Sequence, residues 1–271
     1  LNVNYNGFWG TSAPAKRLDL LNATQYATLM NERSVASGGD VVYSDVSKLG
    51  KGTDWQDAIF NTKANRVSHE ISLSGGNERS QFYLSFNSWD QQGIVLPNIS
   101  HYNKKGVRLN STHKITKFVT FGQTLGYTHV KASGIGNTNS EYGGPLSSAI
   151  NLDPTTPLIE TDPAITAVAP YNQTGVILAD NGFPYGISSK VGQEMTNPLA
   201  YERTRYGGYA WSDDIIGNAF LEINIAKHFK FKSTLGGKLA YWGDQGFTPV
   251  YYLNATNNTV KNSYGKTTQN V

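Results

Sequence analysis

Cysteine is absent from this 271-residue chain, which removes both a disulfide framework and any thiolate metal site. Charged residues are scarce, at 16%, where soluble globular domains carry about a quarter. No run of Lys or Arg forms a phosphate-tracking stripe, and the net charge of +3 is dispersed, so nucleic acid is set aside as a partner. No stretch reaches the roughly 18 apolar residues that a membrane helix requires. No charged segment followed by an apolar one opens the chain in the manner of a signal peptide. These gaps exclude a helical membrane protein. They leave a membrane barrel open, because each barrel strand needs only about 9 to 11 residues with every second one apolar. A mean hydropathy of −0.41 is compatible with that pattern.

Motifs for catalysis and for cofactors are missing as well. His69, His101, His113, His129 and His228 are scattered without metal-ligand spacing. Asp213 and Asp214 adjoin within a strand-like run, where neighbours point to opposite faces and cannot act as an acid–base pair. Gly134-Ile135-Gly136 lacks the third glycine of a dinucleotide fingerprint, and no phosphate loop or nucleophile elbow occurs. The expectation is a protein that is not an enzyme and carries no cofactor.

Glycine (28 residues) and aromatics (12%, with Tyr foremost) are plentiful, a composition that suits β structure with many turns. Val67, His69, Ile71 and Leu73 alternate with Ser68, Glu70, Ser72 and Ser74. Beyond a Gly-Gly-Asn-Glu turn, Phe82, Leu84 and Phe86 alternate with Tyr83, Ser85 and Asn87. This is a hairpin with one apolar face. The same period predicts strands near 1–9, 66–75, 79–89, 102–113, 118–131, 211–227 and 229–242, about seven in all. The sixth is the least regular, because Ile216 and Phe220 fall on the face that otherwise carries Asn218, Glu222 and Asn224. The opening "LNVNYNGFW" already alternates, as an internal piece of a longer chain would.

The connections alternate strictly between short ("GGNE", "HKITK", "AKH") and long (10–65, 90–101, 132–210 and from 244 onward). Successive antiparallel connections lie at opposite ends of a sheet, so one end carries tight turns and the other large excursions. Bacterial outer-membrane barrels have this asymmetry, with short periplasmic turns and long extracellular loops. Within the first excursion, Asn22 and Gln25 have capping-box spacing, with Leu21 and Tyr26 placed as a hydrophobic staple, and predict a helix from 22 to about 35. Thr53 and Gln56 have the same spacing and predict a second, short helix carrying Trp55, Ile59 and Phe60. Residues 132–210 show no sustained period, which marks a functional or disordered loop.

Trp9, Tyr127, Trp211, Tyr241 and Trp242 fall toward the long-loop ends of strands, and Phe118, Phe229 and Phe231 toward the short-turn ends, as interfacial girdles would. Among aromatics in or near the loops, Trp89, Tyr142, Tyr171, Tyr185 and Tyr201 are the candidate substrate contacts. The alternative role for each is packing the loops against themselves.

"GTDWQDAIF" followed by "HEISLSGGNERSQFYLSFNSWDQQGIV" resembles the SusC/RagA family of TonB-dependent outer-membrane transporters of Bacteroidota. The resemblance rests on Gly52 to Trp55, on Ser74 to Gly76 and on Asp90 to Ile94. "YNKKGVRLNSTHKITKFVTFGQTLGYT", "LLNATQYATLMNE" and "TNPLAY" extend it over most of residues 1–242. It implies an all-β fold: an antiparallel transmembrane barrel segment, about seven strands of a barrel of about twenty-two, with short helices in its extracellular loops. Residues 1–271 would be the N-terminal part of that barrel, 10–65 an extracellular loop with a helix, and 132–210 a long extracellular loop. The plug, the TonB box and the remaining strands would lie elsewhere, since an odd, open sheet cannot close in lipid. The implied location is the cell outer membrane. The implied partners are a SusD-like surface lipoprotein, the TonB-ExbB-ExbD complex acting through the plug, outer-membrane lipid, and a glycan or peptide substrate. The alternation by itself also fits a soluble secreted β-sandwich acting as an adhesin or carbohydrate-binding module, because half-buried antiparallel sheets share it.

Overall fold

The alternating runs do become strands, and they pair in chain order. The computed structural model describes residues 1–136, 144–226 and 229–271. Strands β1 (Asn2–Ser12), β2 (Ala64–Gly76), β3 (Ser80–Gln92), β4 (His101–Lys114), β5 (Val119–Ser133), β6 (Tyr209–Ala226) and β7 (Phe229–Thr248) form an antiparallel meander. A two-residue pair, β8 (Tyr251–Tyr252) with β9 (Asn258–Thr259), stands apart. An eighth member of the main sheet, β10 (Ser263–Asn270), pairs with β7. The sequence period missed β10 because "SYGKTTQN" has one large apolar residue, Tyr264, and is held by backbone pairing to β7. It also stopped β7 six residues early, since Gly243, Asp244, Gln245 and Gly246 break the alternation while the ladder continues.

Hydrogen bonds from side chains fix the short turns. Asn77 Oδ1 accepts from the backbone N–H groups of Arg79 and Ser80, both at 2.8 Å. Thr116 Oγ1 accepts from those of Phe118 and Val119, both at 3.1 Å. Such local bonds stand in for the ladder where the chain reverses.

Register decides which side chains share a face. Ile71, Phe86, Val107, Tyr127, Ile215 and Leu239 lie across from one another, strand by strand. Ser72, Ser85, Arg108, Gly126, Ile216 and Lys238 form the corresponding row on the other face. One face of the sheet is therefore apolar and the other small and polar. Among the described residues no second layer covers the apolar face: Phe82 is 39% exposed, Leu125 47% and Leu235 81%. A sandwich would bury that face; within the described residues it lies open. Phe229 and Phe231 at the short-turn end, and Trp9 and Tyr241 at the other, are exposed on this surface, whereas Phe118, though exposed, precedes β5 and pairs its carbonyl with the Asn224 N–H, out of step with the apolar row. Trp242 is a correction to the expected girdle, because its register opposite Ser212 places it with Lys238 and Ala240 on the polar face.

The irregularity of β6 has a physical cause. A Cβ on Gly122 would sit 2.2 Å from the Phe220 ring, and Ile216 lies opposite Gly126. The two apolar side chains on the polar face lie over the bare backbone of neighbouring glycines, and Lys232 Nζ covers Phe220 at 4.1 Å from the ring centroid.

Candidate functional site

Among the described residues the largest fully buried side chains lie in the loops. Trp55, Ile59, Leu96, Ile99, Ala149 and Leu152 form one core, and Tyr185, Ala200 and Leu253 a second. The first draws on the β1–β2, β3–β4 and β5–β6 connections and the second on the β5–β6 and β7–β10 connections, all four at the same end of the sheet. The long connections are a packed layer.

Helix α1 (Ala23–Ala36) starts at the predicted capping box: the Gln25 N–H donates to Asn22 Oδ1 at 2.9 Å and the Asn22 N–H donates to Gln25 Oε1 at 3.0 Å. Helix α2 (Trp55–Ile59) corrects the expected cap. Its N-cap is Asp54, whose Oδ1 accepts from the Asp57 N–H at 2.9 Å. Thr53 is committed elsewhere, its hydroxyl donating to the Thr156 carbonyl at 2.7 Å and its N–H to the Pro154 carbonyl at 2.9 Å. Gln56 exchanges hydrogen bonds with the backbone of Leu18. Arg17 bridges Asp54 and Asp57 at 3.1 and 3.2 Å.

The Gly-Thr-Asp-Trp stretch is thus one half of a clamp whose other half is Asp153 to Thr156. Trp55 Nε1 donates to the Asp153 carbonyl at 3.1 Å. Gly52 has φ +67, and a Cβ there would fall 2.2 Å from the Pro154 oxygen and 2.4 Å from the Ala23 Cβ, so only glycine fits. The Asp153 carboxylate is fully buried and accepts from the Thr156 N–H at 2.9 Å, from the Thr156 hydroxyl, and from the hydroxyls of Thr155 and Ser188 through short bonds. No ion pair reaches it among the described residues. These donors keep the charge tolerable without a cation.

The segment without a sustained sequence period carries three short helices, as the resemblance implied for the loops: α3 (Pro145–Asn151), α4 (Pro163–Thr166) and α5 (Pro198–Arg203). Each begins with proline, and Asp162 and Asn197 cap the second and third. Those dipeptides were the available signal, too short to show a period. Asn197 also donates to the carbonyls of Leu158 and Gly186, which pins "TNPLAY" inside the layer.

Glu202 on α5 is 4% exposed; its Oε2 accepts from Asn98 Nδ2 at 3.3 Å, while its Oε1 is buried without a hydrogen-bond partner among the described residues. Burial pushes its pKa up, against the opposing effects of Asn98 and Arg203. A raised carboxyl pKa means the folded layer favours the proton. The docking of α5 is therefore firmest below the ordinary glutamate value of about 4.3 and weakens as pH rises toward the raised folded value. Glu202→Gln should remove this slope and make amide exchange of 198–204 slower at neutral pH than in the wild type. An unchanged profile would show that the carboxyl is not ionising inside the layer.

The candidate aromatics are distributed between two places. Tyr185 is 7% exposed in the second core, and its hydroxyl accepts from Arg203 Nε at 3.3 Å. Tyr201 packs against the same core, donates to the Ile135 carbonyl at 3.4 Å and lies under the Arg205 guanidinium. The Tyr171 hydroxyl accepts from the Ile187 N–H at 2.9 Å, and burial raises its pKa. Trp89 stands apart on the polar face of β3, with the Arg66 guanidinium 5.1 Å from its ring centroid. Tyr142 lies outside the described residues.

Sequence reasoning missed the groove on the polar face. It has a volume of about 610 Å³ and is lined by Glu70, Tyr83, Arg108, Asn110, Asn218 and Asp214, among others. Lys238 pairs with Asp214 at 3.0 Å and Lys230 with Glu222 at 3.0 Å. Arg66 Nε and Asn110 Oδ1 are buried without hydrogen-bond partners among the described residues. The arrangement suits binding of polar groups.

No family model matches the chain. TonB-dependent receptor P3 of Formosa agariphila is 27% identical over 258 residues, which cover 90% of this chain and 23% of that protein. TonB-dependent receptor P39 of the same organism is 27% identical over 209 residues, 76% of this chain and 17% of that protein. The chain therefore spans less than a quarter of the length of these curated relatives. The structure of the RagAB peptide transporter superposes with a TM-score of 0.67 over 94% of this chain and 30% of that chain, at 16% identity. The same transporter in an "open-open" state gives 0.65. The expected antiparallel all-β fold and the expected resemblance to TonB-dependent receptors of Bacteroidota are both borne out.

Proposed function

We propose, on the premise that the chain is a segment of a SusC/RagA-type TonB-dependent transporter, that residues 1–271 are the N-terminal part of an outer-membrane barrel. The whole protein would import glycans or oligopeptides beneath a SusD-like surface lipoprotein, energised by TonB-ExbB-ExbD through its plug. One observation carries this reading: an uncovered apolar sheet face joined to a packed layer made of the four long connections at one end. Lipid would wet the apolar face, the polar face would line the lumen, and the layer would form the outer rim.

On this reading the rim seats the lipoprotein and the groove beneath it receives cargo. Trp89 is best placed for cargo, half-buried on the lumenal side beside Arg66 and Lys104. An aromatic ring next to cations stacks on a sugar or peptide plane and holds carboxylates. Tyr171, Tyr185 and Tyr201 would act through the shape of the rim.

Deleting residues 134–208 from the full-length transporter should leave barrel insertion intact, read as a heat-modifiable outer-membrane band. The lipoprotein should no longer co-purify, and uptake should fall to background. Undiminished uptake with the lipoprotein still bound would remove the rim from the mechanism.

A further inference from the structure

The apolar face ends abruptly. The register row Ile71, Phe86, Val107, Tyr127 and Ile215 is followed, two residues along each strand toward the long loops, by His69, Ser88, Lys105, His129 and Asp213. That step is about 7 Å. The next row holds Asp90, Asn103 and Lys131. Where the rows meet, a trough of about 470 Å³ opens on the apolar surface. Small Ser88 leaves it open, Phe86, Val107 and Tyr127 line it, and Tyr5 hydrogen-bonded to His69 Nδ1 at 2.7 Å adds a further wall. Its volume falls within the range of small-molecule sites, about 300–1,000 Å³.

Charge at the rim of the trough is unbalanced. Both acidic side chains of the polar rows are engaged: Asp213 accepts from the Tyr127 hydroxyl at 2.6 Å and pairs with His129 Nδ1 at 2.8 Å, and Asp90 pairs with His101 Nε2 at 3.1 Å and accepts from Asn103 Nδ2 at 3.0 Å. Lys105 is exposed and lines the trough, yet makes no hydrogen bond or ion pair among the described residues, acting on Asp90 only through space. An apolar slot with an ammonium at its polar edge complements one kind of occupant, a hydrocarbon chain ending in an anionic group.

We propose that the trough seats an acyl chain of a phosphate-bearing lipid of the outer leaflet, with the lipid phosphate held by Lys105. This rests on the barrel reading above, which sets the polar rows at headgroup depth. A basic side chain at a membrane surface attracts anionic headgroups, and the aromatic walls hold the chain by contact area.

The test uses the full-length transporter, extracted in mild detergent and placed in nanodiscs of phosphatidylcholine doped with a bisphosphorylated, multiply acylated lipid. Native mass spectrometry should find the doped lipid retained on the wild type. Lys105→Glu should lower the retained fraction by about tenfold or more, the expected scale for reversing one charge at a headgroup. Ser88→Phe, which fills the trough and keeps the charge, should do the same. Equal retention in both variants overturns the proposal. So does displacement of the adduct by inorganic phosphate alone, or retention of phosphatidylcholine in equal amount. Heat-modifiable migration and outer-membrane fractionation are scored separately: a wild-type protein absent from that membrane defeats the barrel reading, whereas a well-inserted barrel without the adduct defeats only the lipid site.

Discussion

Asp153→Ala is expected to release the loop layer while leaving the sheet intact. The substitution removes the acceptor for the Thr156 N–H and for the hydroxyls of Thr155, Thr156 and Ser188; Asp153 and Thr156 are buried, Thr155 and Ser188 half-buried. An unsatisfied buried donor costs about 1–3 kcal/mol and a bond to a charged acceptor contributes about 1.5–3 kcal/mol. Partial relaxation still leaves a loss of about 3 kcal/mol or more for the layer. Hydrogen exchange of residues 145–158 and 184–200 in the detergent-solubilised full-length protein should accelerate strongly, with the β2–β5 ladders unchanged. Uniform acceleration across the strands would show that layer and sheet are one cooperative unit. Unchanged loop exchange would show that the carboxylate is dispensable. Asp153→Asn should be intermediate, because the amide keeps one acceptor and turns a donor toward hydroxyls that can rotate to receive it.

Trp55→Ala should have an effect of the same order on the other half of the clamp. Trp55 is 3% exposed, packs in the first core with Ile59, Leu96 and Leu152, and donates to the Asp153 carbonyl. Truncating a buried Trp costs about 3–5 kcal/mol through lost burial and the cavity left behind. Trp55→Phe keeps most of the volume and loses the hydrogen bond, so it should cost about 1 kcal/mol, the net worth of such a bond. On the function proposed above, Trp55→Ala in the full-length protein should weaken lipoprotein co-purification and uptake without changing the heat-modifiable band. Full lipoprotein binding by the alanine variant would mean that the rim does not depend on the clamp. Because Trp55 and Asp153 touch, the double variant should lose less than the sum of the two single losses.

The hairpins were legible in the sequence because a face wetted by one medium and a face wetted by another impose a strict period of two. Val67 to Leu73 and Phe82 to Phe86 carry that signal without any tertiary information. Strand β10 was not legible, since its register comes from β7 and its own side chains are mostly polar. Helix α1 was legible because both members of its capping box are local. Helix α2 was placed correctly and capped wrongly: Thr53 has the right spacing to Gln56, but distant partners, Thr156 and Leu18, claim both side chains. The Asp153 hub left no trace in the sequence, because its meaning lies in donors at Ser188 and in a neighbour at Trp55. For the aromatics, residue type marked a region without settling roles. Tyr185 lies in a core and Trp89 on a wall, and only packing distinguishes them.

The contact between Trp55 and Asp153 joins positions 98 residues apart, with strands β2 to β5 between them. Forming it from an open chain would carry a heavy loop-closure entropy, while zipping one hairpin after another brings the loop roots together in small steps. The wall must therefore be built before its roof. On the barrel reading proposed above, a newly inserted molecule would pass through an unroofed stage with Trp55, Leu96 and Leu152 bare, and whatever protects or exploits that stage would act on a species that the finished structure no longer displays.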